Sequence, residues 1–160
     1  MDIQDKEMHR IAVTAIIYKP NHTFLITKRS LTKKAFPGKW MVPGGGITVD
    51  DYIHQKPSHG TQWYYTVEKA LRREVKEEVG LEIGKPEFLL DLTFIRPDNI
   101  PVLVLSYFAA HLGGEAKIKM DADTVDAKWV TAQEAATYDL LEGLLDEIHM
   151  VDDILKKRQP

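Results

Sequence analysis

Residues Leu71–Leu81 (LRREVKEEVGL) satisfy their own chemistry best as part of a helix laid on a core. Val67, Leu71 and Val75 recur every four residues, with Ala70 at their edge, which is the apolar stripe of an amphipathic helix. Thr66 is placed to cap its start. Gly80 is placed to stop it, because glycine enters the left-handed conformation after a helix without a steric penalty. A helix capped by Thr66 and running to about Val79 sets Glu74, Glu77 and Glu78 at i, i+3 and i+4, within an arc of about 100° at roughly 100° per residue. Lys69, Arg72, Arg73 and Lys76 then fall on the far side. Like charges at these spacings repel by roughly 0.2–0.5 kcal/mol per pair. A divalent cation turns that repulsion into attraction, and hard cations such as magnesium take oxygen ligands. The same residues also read as a solvated charged face, since Glu68–Arg72 and Arg73–Glu77 are ordinary i,i+4 pairs. The sequence upstream has to decide between the two.

Arg10–Tyr18 (RIAVTAIIY) is apolar on both alternating faces, which predicts a strand covered on both sides. A turn at 19–22 and the segment Thr23–Lys28 predict an antiparallel hairpin with it. Ser30–Lys39 is a polar loop whose Lys33, Lys34 and Lys39 either attract phosphate or are simply solvated. Trp40-Met41-Val42 leads into Pro43 and then Gly44, Gly45 and Gly46, a run that lets backbone approach a ligand closely. Glu87–Ile95 and Val102–Leu112 predict two long strands joined by the loop Arg96–Pro101. Ala116–Met120 and Val125–Val130 predict shorter ones. Thr131 and Glu134 have capping-box spacing for a short helix. Leu141, Leu144, Leu145, Ile148, Val151 and Leu155 predict a final amphipathic helix, with 156–160 as a frayed tail. The sum is an α/β chain, a mixed β-sheet between helices in an α/β/α sandwich, as one domain over 9–155 behind an N-terminal arm at 1–8.

The chain has 160 residues, of which 28% are charged, and a net charge of −3. That length suits one core. With no long basic run, binding to bulk nucleic acid is not expected. The absence of cysteine excludes disulfides and thiolate catalysis. With no apolar leader and no stretch long enough to span a bilayer, the expectation is a cytoplasmic protein without a membrane partner, a monomer or homodimer.

The glycine run followed by the three-carboxylate helix resembles the Nudix hydrolase signature, G-x5-E-x7-R-E-U-x-E-E-x-G-U, where U is a bulky aliphatic residue. Arg73-Glu74-Val75-Lys76-Glu77-Glu78-Val79-Gly80-Leu81 matches its second half without a gap, and Trp40 to Gly45 looks like the usual lead-in. One departure stands out. The family places 14 positions between its first motif glycine and its arginine, whereas Gly45 and Arg73 are 28 apart. The insertion falls at about 52–65. Counted forward from Gly45, the motif's first glutamate lands on Asp51; counted back from Arg73, it lands on Tyr65. Asp51 is the candidate to take over that structural role.

The resemblance implies a magnesium-dependent enzyme, with manganese as a substitute, in which water attacks phosphorus in the pyrophosphate linkage of a nucleoside diphosphate derivative. That class spans nucleoside triphosphates, nucleotide sugars and similar small molecules. It implies Glu74, Glu77 and Glu78 as metal ligands, with Glu74 also a candidate base. Arg73 would hold a motif carboxylate by an ion pair, and the Gly44 carbonyl would be a backbone ligand. Substrate contacts fall to Arg29, Gly45 and Gly46, and to a carboxylate from a later loop, Asp123 or Asp121. Trp63, Tyr64 and Tyr65 either stack on a base or staple the insertion to the core. His54 and His59 either touch substrate or are solvated. The main alternative is a non-catalytic nucleotide sensor of the same fold. The isopentenyl diphosphate isomerase branch is disfavoured because it implies a cysteine, and a purely structural ion is disfavoured by the glycine run beside an aromatic segment.

Overall fold

The computed structural model describes residues 6–115 and 123–158. Its strands are β1 (Arg10–Tyr18), β2 (Thr23–Arg29), β3 (Trp40–Met41), β4 (Gly44–Gly46), β5 (Glu82–Ile83), β6 (Glu87–Ile95), β7 (Pro101–Gly113) and β8 (Thr124–Thr131). They form one mixed sheet, with helices α1 (Thr66–Val79), α2 (Ala132–Ala135) and α3 (Leu144–Arg158) on its faces. This is the α/β sandwich the sequence predicts. The strand predicted at Ala116–Met120 and the candidate Asp121 lie outside the described residues.

β1 organises the layers. Side chains alternate across a strand, so Val13, Ala15 and Ile17 face α1 and pack with Ala70, Leu71, Val75 and Val79. Ile16 faces the other way, into a core with Phe108, Ile148 and Val151 under α3. Leu71 is fully buried, a burial that stabilises by roughly 1.5–3 kcal/mol and fixes the azimuth of α1. β7 runs parallel to β1 from Arg10↔Val102 to Tyr18↔Ala110. β6 pairs antiparallel on the other edge of β7.

Two local expectations are corrected and a third holds in shortened form. The β1–β2 hairpin is antiparallel as predicted but in register only at Tyr18↔Phe24, because β4 takes the edge of β1 over Ala12–Thr14. β2 pairs instead with β8 and β3. Thr66 is the first helical residue rather than the cap. The cap position is Tyr65, left-handed at φ 62°, where no side chain caps the helix, since the preceding segment arrives in a turn and not in the extended backbone a capping threonine needs. The tail is not frayed at 156–158. α3 runs to Arg158, whose guanidinium grips Glu87 with two bonds of 2.7 and 2.8 Å, the fork geometry that suits a carboxylate. The Thr131–Glu134 capping box is present as expected. Among the described residues, no helix is long and apolar enough to cross a membrane.

One buried polar contact ties α3 to the sheet. Ser106 Oγ, inside β7, donates to Glu147 Oε2 at 2.7 Å. Burial pushes the Glu147 carboxyl above its ordinary pKa, against the opposing hydrogen bond. A raised carboxyl favours the folded state fully below the unfolded pKa, and that contribution is lost as pH rises through the folded pKa. At neutral pH the charge is therefore a cost. Glu147→Gln keeps an acceptor for Ser106 and removes the charge. Thermal melts should place the variant a few degrees above the parent at pH 7, the shift for on the order of 1 kcal/mol in a chain of this size. The gap should narrow as pH falls toward 4.5. A variant that melts lower at pH 7 would contradict the assignment.

Candidate active site

The glycine run is a strand wedged between β1 and α1, not a free loop. A Cβ at Gly44 would overlap the Val13 carbonyl and Thr14. One at Gly45 would overlap the Glu74 carboxyl, and one at Gly46 the Arg10 guanidinium. Backbone demands glycine at Gly44, whereas a side chain at Gly45 or Gly46 would displace the Glu74 carboxyl or the Arg10 guanidinium from the site. The amide of Gly44 donates to Glu78 Oε2 at 3.0 Å. Thr124 Oγ1, buried at the start of β8, donates to the other oxygen of Glu78. Glu78 is thus fixed from two strands.

The three carboxylates differ in exposure. Glu74 has 20% of its side chain accessible and Glu77 57%, while Glu78 lies deepest. Burial pushes the Glu78 carboxyl above its ordinary pKa; the bonds from Thr124 and Gly44 oppose this and the Glu74 charge adds to it. Burial likewise raises Glu74, with Arg73 opposing and Glu77 and Asp51 adding to the shift.

Arg73 belongs with these carboxylates rather than on the far side of the helix, since at i,i+4 it lies about 40° from Glu77. Its long side chain swings back so that Nε donates to Asp51 Oδ1 at 2.6 Å, while Nη1 lies 3.0 Å from both Glu74 Oε1 and Glu77 Oε2. Asp51 also accepts from the Thr48 amide at 2.8 Å. Burial works against the Asp51 charge, but Arg73 and Thr48 outweigh it and hold the carboxyl below its ordinary range. The hydrogen bond to Asp51 raises Arg73 above the usual arginine value. Asp51 therefore does the anchoring that the count from Gly45 assigns to it.

A cavity of about 440 Å³ opens over this arrangement. It is lined by Glu74, Glu77, Glu78, the glycines of β4, Thr124, Asp123 and the cations Arg10, Arg29 and Lys33. The sequence-assigned Arg29 and Asp123 thus reach the same space as the helix carboxylates. Arg29 Nε donates to the Ala35 carbonyl at 2.9 Å. Burial lowers the Arg29 pKa despite the Glu78 and Asp123 charges. Lys33 and Asp123 form an ion pair. Among the described residues, no three acidic or histidine side chains converge as a ready-made metal cage, and Arg73 stands between Glu74 and Glu77. Arg10 and Thr124 have no assignment from sequence, because Arg10 reads as the first residue of a strand and Thr124 as the loop residue before one.

The insertion stays apart from this cavity. Trp63 packs on Tyr52 at 5.2 Å between ring centres, and its Nε1 donates to the Gln55 carbonyl at 2.8 Å. Tyr64 packs on His59, and His54 lies 3.6 Å from Asp50 at the surface. The aromatic residues staple the segment, and the cavity over the carboxylates is lined by none of them.

Comparison with known proteins agrees with this geometry. The NUDIX domain family model matches residues 8–151. The nucleoside triphosphatase NudI of Enterobacter sp. (strain 638) is 27% identical over 144 residues, covering 85% of this chain and 92% of the relative. NudI of Escherichia coli (strain K12) is 26% identical over 143 residues, covering 83% and 90%. Among solved structures, the NUDIX domain of Shewanella oneidensis NrtR complexed with ADP ribose superposes with TM-score 0.71 at 18% identity, covering 97% of this chain and 94% of that one. The MutT protein from Methanosarcina mazei Go1 superposes with TM-score 0.69 at 19% identity, covering 98% and 100%.

Proposed function

The chain belongs to the NUDIX family as a pyrophosphohydrolase, and on that premise we propose that it cleaves a nucleoside triphosphate or a related nucleoside diphosphate derivative by attack of water on phosphorus. The observation that carries this reading is the shared cavity. Arg10, Arg29 and Lys33 line it together with Glu74, Glu77 and Glu78. A polyphosphate chain held by the cations would lie with a phosphorus facing the carboxylates. The nucleoside triphosphatase name of the two NudI relatives supports a triphosphate within that class.

The residues fit a hard divalent cation. The donor set is all oxygen, and burial holds Glu74 and Glu78 above their ordinary pKa, a penalty on the charged form that a bound cation would offset. Glu74, Glu77, Glu78 and the Gly44 carbonyl would hold magnesium, or manganese in its place. When bound, the ion neutralises phosphoryl charge and lowers the pKa of a coordinated water. The chain supplies the rest. Thr124 and the Gly44 amide keep Glu78 from rotating. Arg73, tied to Asp51 through Nε, sets the orientation of Glu74 and Glu77. Glu74 takes the proton of the attacking water. Arg29 and Lys33 hold phosphate oxygens, with the bare backbone of Gly45 and Gly46 leaving them room, and Asp123 restrains Lys33. The enzyme would act on its small-molecule partner in the cytoplasm, as a monomer or homodimer.

The test is hydrolysis of the common nucleoside triphosphates with magnesium, separating phosphate from pyrophosphate release. Turnover should vanish in excess chelator, and Arg29→Ala should raise KM about tenfold, the scale of one charge-assisted phosphate contact. Turnover that persists in chelator would sink the metal reading. Failure to hydrolyse any nucleoside triphosphate would sink the triphosphate reading and leave the other nucleoside diphosphate derivatives.

A further inference from the structure

A second cavity, of about 410 Å³, adjoins the first and shares Arg10, Arg29, Lys33 and the β4 glycines with it. Its far end is different. Strand register sets Arg10, Val102 and Phe94 side by side across β1, β7 and β6, and Ala12 and Val104 in the next row. These are the same face of the sheet that α3 covers further along at Ile16 and Phe108, so the cavity is the end of that face beyond the helix. Phe36 closes it from the 30–39 loop, with its ring 5.7 Å from that of Phe94 at 59°.

Three features of this end are not explained by folding alone. Phe36 and Phe94 belong to neither hydrophobic core. Phe36 has φ 53°, a left-handed backbone that is strained for a bulky residue, and such strain clusters at ligand clamps. Arg96, at the end of the β6 strand, has a buried Nε with no hydrogen-bond partner among the described residues, while its Nη2 pairs with Asp98 at 2.8 Å. A buried donor left unpaired in a native fold calls for an acceptor. The polar side chains peculiar to this end are Thr14, Lys34 and Arg96. Two of the three only donate, and none is a carboxylate or an amide.

We propose that this cavity holds the nucleobase of the substrate, stacked against Phe36 and Phe94, and that Arg96 reads a carbonyl on the base edge. The inference rests on the nucleotide reading above. The shared cationic wall takes the phosphates, and the aromatic end takes a flat ring. An arginine fork matches the O6 and N7 acceptors of guanine and meets the O4 of uracil or thymine. Adenine keeps N7 but carries an amine in place of O6, and cytosine carries one in place of O4, donor against donor. The specificity is for keto bases: guanine over adenine, and uracil or thymine over cytosine.

The experiment is an NMR titration of the intact protein, in chelator, with GMP, AMP, UMP and CMP, so that affinity is read without turnover. GMP should bind at least fivefold tighter than AMP, and UMP at least fivefold tighter than CMP. Arg96→Gln, which offers both a donor and an acceptor, should bring both ratios within twofold. Arg96→Lys, which keeps the charge at the turn but not the fork, should weaken them in the same direction and guards against loss of folding. Phe94→Ala should weaken all four ligands about tenfold with the ratios preserved. A ratio under twofold in either pair for the parent protein, or ratios that survive both Arg96 variants, would overturn the proposal. Turnover of the matching triphosphates separates the two readings. Base selection without hydrolysis keeps the base site and removes the hydrolase substrate, and hydrolysis without base selection does the reverse.

Discussion

Glu77→Gln is expected to lower turnover by roughly 10²–10³-fold, the scale of losing one preorganised electrostatic group, with the melting temperature within about 2 °C of the parent. More than half of the Glu77 side chain is exposed, and its contact within the protein is the 3.0 Å pair with Arg73 Nη1. An exposed pair of this kind contributes about 0–1 kcal/mol, so little of the fold depends on the charge. Steady-state kinetics beside a thermal melt of one preparation would show the two effects apart. A variant with parental turnover would remove Glu77 from the ligand set. Glu78→Gln sharpens the contrast from the buried side. The amide oxygen can accept from the Gly44 N–H, and the amide nitrogen can donate to Thr124 Oγ1, so both positioning bonds survive with the charge gone. Activity should fall as far, while stability holds or rises, because burial disfavours the Glu78 charge.

The layers and the long elements were legible because they follow side-chain periodicity. α1 has its predicted body and its predicted end at Val79, β6 has its predicted bounds, and β1 is buried on both faces. What periodicity cannot express is which strand wins an edge. β4 displaces β2 from β1 because glycines at 44–46 allow backbone to lie against Val13 and Thr14, a steric fact about a distant strand. The start of α1 escaped for a related reason. Tyr65 is set by the path of the insertion, and Thr66 looks like a cap only where the chain enters extended. At the site, the carboxylates and glycines were legible from their spacing, and Arg29 and Asp123 proved to face the same cavity. Arg10 and Thr124 were not, since strand pairing alone brings them there. Arg73 lies beside Glu77 on the helical wheel, and what spacing does not express is the reach of its guanidinium to Asp51 and Glu74.

Asp51→Ala is expected to cost about 2 kcal/mol of stability and to lower turnover about 10–100-fold. Removing one member of a buried pair costs roughly 3–5 kcal/mol when both partners are buried. Here the Asp51 side chain is 3% accessible but Arg73 is 35% accessible, so water recovers part of that. For a chain of this length the loss is a drop of roughly 4–8 °C in Tm. The kinetic effect is separate, because Arg73 without its Nε anchor no longer fixes Glu74 and Glu77 through Nη1. The pH dependence gives the assignment a sign. A carboxyl held low in the fold stabilises above the unfolded pKa and loses that contribution as pH falls through the folded one. The gap between parent and variant should therefore be full at pH 7 and should close below about pH 4, near the unfolded aspartate value. A double-mutant cycle with Arg73→Ala should return a coupling of about 0.5–3 kcal/mol, the range for residues in one network. Asp51→Glu, the residue type the family motif carries at this step, should recover more activity than Asp51→Ala. If Asp51→Ala melts with the parent at pH 7 and the cycle shows no coupling, the insertion has moved the tether elsewhere and Asp51 is a bystander.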